Sequence, residues 1–165
     1  MPQYVLVDIE HLERQIQIIV LAAHDMQEVV AACVALEREP TTGPLCEALA
    51  TAIAVCYARP FTANTIGHLG NRWTPKSGTA ERELHDWLLD ERRKRYAHTD
   101  EDAQRLVLHR MRGEKEFDAL AEIKLPFPRD RLGPIKDMAN LLSKRLMAEA
   151  FELQKKLAEE VGFDA

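Results

Sequence analysis

A chain of 165 residues with 46% hydrophobic and 30% charged side chains is long enough to form one domain around a real core, and its composition is that of an ordinary globular protein. Its net charge of −5 excludes generic, whole-surface binding to nucleic acid but leaves room for a local basic site. No unbroken run approaches about 18 apolar residues, so no membrane span is expected, and the N-terminus MPQYVLVDIEHLER lacks the basic region and apolar core of a signal peptide. Cys33, Cys46 and Cys56 are odd in number and sit among apolar residues. They read as reduced packing thiols of a cytoplasmic protein.

Residues 9–38 read as one long helix. Leu12, Ile16, Ile19, Ala23, Met26, Val30 and Cys33 alternate steps of four and three, an apolar seam sustained for about three heptads. The run Glu39-Pro40-Thr41-Thr42-Gly43-Pro44 ends it. A second helix is expected over 44–58, with Thr42 as candidate cap and Pro44 in the first turn. Its expected apolar stripe is Leu45, Leu49, Ile53 and Cys56, and Arg59-Pro60-Phe61 ends it because the residue before proline disfavours helix.

Residues 62–78 hold Gly67, Gly70, Pro75 and Gly78 and read as a long loop. Its His68, Arg72, Trp73 and Lys76 form a basic and aromatic mix that could meet a base and a phosphate. The plainer reading, a surface loop pinned to the bundle by Trp73, is favoured about two to one. A third helix is expected over 79–97, capped by Thr79 and with Glu81 and Glu83 at its positive end. Residues 104–128 are ambiguous and could hold a small β-hairpin around Gly113-Glu114-Lys115. A last helix over 134–160 carries Ile135, Met138, Leu142, Leu146, Ala150, Leu153 and Leu157 on one face and matches the first in length. The two should pack along each other. The expected fold is all-α: a single-domain four-helix bundle, residues 1–165, with long first and last helices.

The stretch with most chemistry is His85–Asp100, HDWLLDERRKRYAHTD. It places four cations, Arg92 to Arg95, just before Tyr96-Ala97-His98. An arginine can hold a phosphate and an imidazole can move a proton near neutral pH. With 14 arginines and 6 histidines in the chain, an arginine followed by a histidine after four to six intervening residues arises by accident about 1.5 times. Two such pairs occur, Arg92 and Arg93 with His98, so the pattern needs context. On a straight α-helix Arg92 and His98 lie about 120° apart in rotation. Convergence then requires the helix to loosen after Tyr96 or a second protomer to supply partners.

In context, this segment resembles the motif helix of the HEPN superfamily of small all-α proteins. Leu84, His85, Arg92, Tyr96, Ala97, His98, Thr99 and Asp100 carry the resemblance, supported by Ala58-Arg59-Pro60-Phe61 upstream. Arg93 stands where active members commonly have Asn, Asp or His. The resemblance implies a metal-independent endoribonuclease of toxin or phage-defence type, acting on RNA as a cytoplasmic homodimer, without a cofactor and without a membrane. An antitoxin or defence-system protein is a further expected partner. Arg92 and His98 would be the catalytic pair, with Arg93, Tyr96 and His85 as substrate contacts.

Other readings stand beside this one. Arg92 and Arg95 could simply pair with Glu91 and Asp90 or snorkel, with His98 packed at a helix end. Cations are favoured there by the helix dipole in any case. The chain could be a non-catalytic helical interaction module in a defence or toxin–antitoxin assembly. The dipeptides His24-Asp25 and His85-Asp86 could instead belong to an all-α metal-dependent phosphohydrolase, although two such pairs are only a mild excess over the roughly 0.4 expected by chance.

Overall fold

A computed structural model describes residues 3–40, 42–97, 104–110, 117–123 and 127–161, with side chains described over 9–40, 42–94 and 127–161. Four helices form a bundle. They are α1, Gln3–Arg38, α2, Pro44–Ala58, α3, Ala80–Glu91, and α4, Leu132–Val161. Strands β1, Gln104–Arg110, and β2, Phe117–Ile123, pair antiparallel, with Gln104 opposite Ile123 and Arg110 opposite Phe117.

α1 is the central helix. Its 36 residues span about 54 Å, and it packs against both α2 and α4. Leu12, Ile19, Ala23, Met26 and Cys33 of the expected seam are buried, while Ile16 and Val30 are only half-buried. Burial widens to Ala22, Val29 and Leu36 because the helix has neighbours on two sides rather than one. The same double burial explains its apolarity. Within Ile9–Arg38 a window of mean hydropathy 1.6 is long and apolar enough to cross a bilayer. A search for an unbroken apolar run overlooks it.

α4 lies along α1, as the matched lengths suggest. Small residues let the backbones approach: Ser143 Oγ donates to the Ala23 carbonyl at 3.2 Å. Ile135, Leu142, Leu146 and Ala150 are buried as expected. The start of α4 is fastened to the end of α1. Lys136 Nζ lies 2.7 Å from Glu37 Oε1. Arg129 donates to the carbonyl of Leu36 at 2.7 Å, in the last turn of α1 where carbonyls lack intrahelical partners, and to that of Pro40, two residues beyond the helix, at 2.6 Å.

α2 corrects two expectations. Its N-cap is Gly43, at φ +120, not Thr42, and no side chain caps it. Its buried stripe is Cys46, Ala50, Ile53 and Tyr57, whereas Leu45 is exposed. The sequence PLCEALATAIAVCYA is apolar on nearly every side, so periodicity leaves its inward face open. The polar tip of Tyr57 finds a buried partner on α3, and that selects the face.

Candidate functional site

α3 begins as expected: Thr79 Oγ1 accepts the Arg82 backbone N–H at 3.2 Å. Glu81 and Glu83 in its first turn complement the helix dipole. Its inward residues are His85, Leu88 and Glu91. At Arg92 the regular helix changes character. The Arg92 backbone N–H still reaches the carbonyls of Leu88 and Leu89, and residues Arg92–Ala97 then run as π-helix. The loosening therefore begins at Arg92 itself rather than after Tyr96, and the 120° separation calculated for a straight helix does not carry over to this segment. Wide-turn segments of this kind are rare and frequently mark functional sites.

The cations on this segment divide into two groups. Arg93 Nη2 lies 2.6 Å from Asp90 Oδ1, and Lys94 Nζ lies 2.6 Å from Asp90 Oδ2. Hydrogen bonds from Lys94 and Arg93 hold the Asp90 carboxyl below the usual carboxylate range. The plain reading pairs Arg92 and Arg95 with Glu91 and Asp90; Asp90 instead takes Arg93 and Lys94, and the Arg95 side chain lies outside the described residues. Arg92 is half-buried, and its side chain makes no ion pair with another described residue. Tyr96 lies on the π segment, its side chain outside the described residues. His98 lies outside the described residues altogether.

His85, expected to touch substrate, is placed in the core at 2% exposure. The Tyr57 hydroxyl lies 2.9 Å from its Nδ1 and 3.6 Å from Met138 Sδ. That hydroxyl has one proton, and the nitrogen is the nearer and stronger acceptor. The Phe61 ring meets the imidazole edge-on with centroids 4.6 Å apart. Burial holds the His85 pKa below its ordinary value and that of Tyr57 above its own, so both are neutral at physiological pH. His85 pins α3 to α2, and Phe61 completes the cluster from the Arg59–Phe61 turn.

The two His-Asp dipeptides are not brought together. Asp25 is buried and receives a hydrogen bond from Arg59 Nη1 at 2.7 Å, while His24 is exposed beside Glu28. Asp86 is exposed and takes Arg82 Nε at 2.9 Å. Among the described residues no group of three or more His, Cys, Asp or Glu side chains could hold a metal ion.

The loop over 62–78 is anchored by Trp73, as the plainer reading held. Trp73 is buried in the short turn Asn71–Trp73. Sequence reasoning missed the other fastenings. Asn64 Oδ1 accepts the backbone N–H groups of Ile66 and Gly67. The Leu69 N–H donates to the Pro60 carbonyl at 2.7 Å, and Arg14 Nε donates to the Ile66 carbonyl at 3.1 Å. An Asn two residues before a backbone N–H at the head of a Gly-containing loop is a recognisable turn signal. The Arg14 contact spans 52 residues of sequence and has no local signature.

Comparison with models of known protein families, with curated proteins and with solved structures finds no match for this chain.

Proposed function

We propose that this protein is a metal-independent endoribonuclease of toxin or phage-defence type, with its site shared across a homodimer. The observation that carries this reading is the change from α- to π-helix at Arg92. It falls on the arginine of the HEPN-like string and leads directly into His98. Departures of this kind from regular helical hydrogen bonding are rare and are frequently found at functional sites.

In this reading the RNA 2′-OH attacks the adjacent phosphorus as His98 takes its proton. A bond forms from the 2′-oxygen, and the bond to the 5′-oxygen breaks. The leaving oxygen receives a proton, from the second protomer's copy of the same histidine. The products are a 2′,3′-cyclic phosphate and a 5′-hydroxyl. Arg92 stabilises the charge that develops on the phosphorane oxygens. Arg93 and Tyr96 position the strand, with Arg93 exchanging Asp90 for phosphate. His85 acts from beneath, by holding α3 in place. The chemistry calls for no cofactor, and a toxin or defence role of this kind would be exercised in the cytoplasm.

The test uses purified protein, total RNA and EDTA, with the cleavage ends sequenced. His98→Ala should abolish cleavage and Arg92→Ala should reduce it by roughly 10²-fold or more, while Arg93→Ala costs less. If the site is shared, an excess of His98→Ala protein mixed with the wild type suppresses activity, because a heterodimer with one histidine lacks either the base or the acid. RNA left whole by the wild-type protein, with any co-purifying partner removed, would sink the nuclease reading.

One observation favours a second reading. Leu141, Met147 and Phe151 are 61%, 47% and 58% exposed and fall within about 120° of arc on α4. An apolar face of this kind suits a non-catalytic interaction module in a defence or toxin–antitoxin assembly. Such a module would cleave nothing.

A further inference from the structure

The loop's anchors create a groove that the α3 segment does not use. It lies between α1, the loop and α4, has a volume of about 540 Å³, and is lined by His11, Arg14, Gln15, His68, Arg72 and Glu149 among others. It continues past Arg72 and Trp73 to Arg145 and Glu152. In a chain of net charge −5, three arginines here face two carboxylates, with two exposed histidines beside them.

Two of the arginines are drawn to one ring. The guanidinium carbons of Arg72 and Arg145 lie 5.0 Å and 5.5 Å from the Trp73 centroid. The indole attracts both guanidinium groups, and Glu149 Oε1 engages Arg72 Nη2 at 2.7 Å. A guanidinium carries five N–H donors, so one contact to Glu149 leaves Arg72 able to grip an incoming oxyanion. Arg14 spends only Nε on the Ile66 carbonyl, and its terminal nitrogens remain for the groove. The loop is tied at Asn64, Leu69 and Trp73, so these cations are held in place before a ligand arrives, which lowers the ordering cost of binding.

We propose that this groove binds a phosphate-bearing ligand of nucleotide size, its phosphate held by Arg14 and Arg72 and its remainder lying toward Arg145 and Phe151. The volume suits a small molecule rather than a lone ion. The ligand is a free nucleotide or one unit of a single RNA strand. Both present the same phosphate, and the groove shares no residue with Arg92–Ala97, so this inference and the nuclease reading can fail separately.

The experiment is calorimetric titration of the full chain with AMP, adenosine and a five-nucleotide single-stranded RNA. AMP should bind with Kd of about 1 mM or tighter, and adenosine about 10-fold or more weaker. Arg14→Gln and Arg72→Gln should each weaken AMP by roughly 10-fold or more, the scale for one charge-assisted hydrogen bond, with Tm lowered by no more than about 4 °C. Arg131→Gln, whose guanidinium sits over Trp87, should leave binding as it was. RNA binding about 10-fold tighter than AMP identifies the strand as ligand, and equal or weaker RNA binding identifies the free nucleotide. No AMP binding below about 10 mM, adenosine binding as tight as AMP, or unchanged affinity in both arginine variants overturns the proposal.

Discussion

Replacing His85 with alanine tests whether the imidazole belongs to the core or to a surface site. His85 is 2% exposed, so the truncation opens a cavity among Tyr57, Phe61 and Met138. Aromatic-to-alanine changes in cores cost about 3–5 kcal/mol, and the smaller imidazole falls at the lower end. The Tyr57 hydroxyl loses its partner at 2.9 Å, worth about 1 kcal/mol at least for a buried group, with Met138 Sδ at 3.6 Å offsetting a little. The edge-on contact with Phe61 is lost as well. A total near 3–4 kcal/mol follows, or a fall in Tm of about 10 °C for a chain of this size. Urea unfolding followed by circular dichroism at pH 7.5 measures it, with Tyr57→Phe as a milder control costing about 1–2 kcal/mol.

The pH arm has a fixed sign. The folded-state pKa of His85 is depressed by burial, so the unfolded chain binds the proton more readily. Its contribution to stability is complete above the ordinary histidine pKa of about 6.5 and is lost as pH falls below it, at up to about 1.4 kcal/mol per pH unit. His85→Phe should flatten that part of the profile. A cost below about 1 kcal/mol for His85→Ala would refute the core placement and return His85 to the substrate surface.

Three further substitutions probe the frame. Burial raises the Asp25 pKa despite the Arg59 guanidinium, so ionised Asp25 is held at a cost; Arg59→Ala should destabilise by about 1–3 kcal/mol and Asp25→Asn by less than about 1 kcal/mol, both read from urea midpoints. Gly67→Ala should cost about 1–3 kcal/mol by the same measurement, because φ is +130 and the new Cβ would stand 2.6 Å from Ile18 Cδ1; a neutral result would show that the loop is not held against α1.

The helices were legible where one face alone is apolar. α4 follows its expected stripe from Ile135 to Ala150, and the Thr79 cap stands where local chemistry places it. α2 was not legible in detail, since a helix apolar all round has no preferred face until its partners are known. The Tyr57–His85 pair decides that face across 28 residues. The same pair shows why His85 was misplaced. A histidine two turns ahead of an arginine reads as part of a site, and its burial depends on Phe61 and Tyr57, which arrive from another helix end. The π segment has no composition signal at all. Four successive cations on Arg92–Arg95 read equally well as the exposed end of an ordinary helix.

Arg129 holds the Leu36 carbonyl in the last turn of α1 and the Pro40 carbonyl just beyond it, and Phe127 packs on Trp87 with centroids 5.4 Å apart. Together they fix the point where the chain re-enters the bundle. Every described core residue outside α1–α4 and the 62–78 loop reduces to Phe127. The register of α4 against α1 is therefore set at this one point of re-entry. Trp87, Phe127 and Arg129 should behave as a unit there, and a substitution at any of them loosens the same joint.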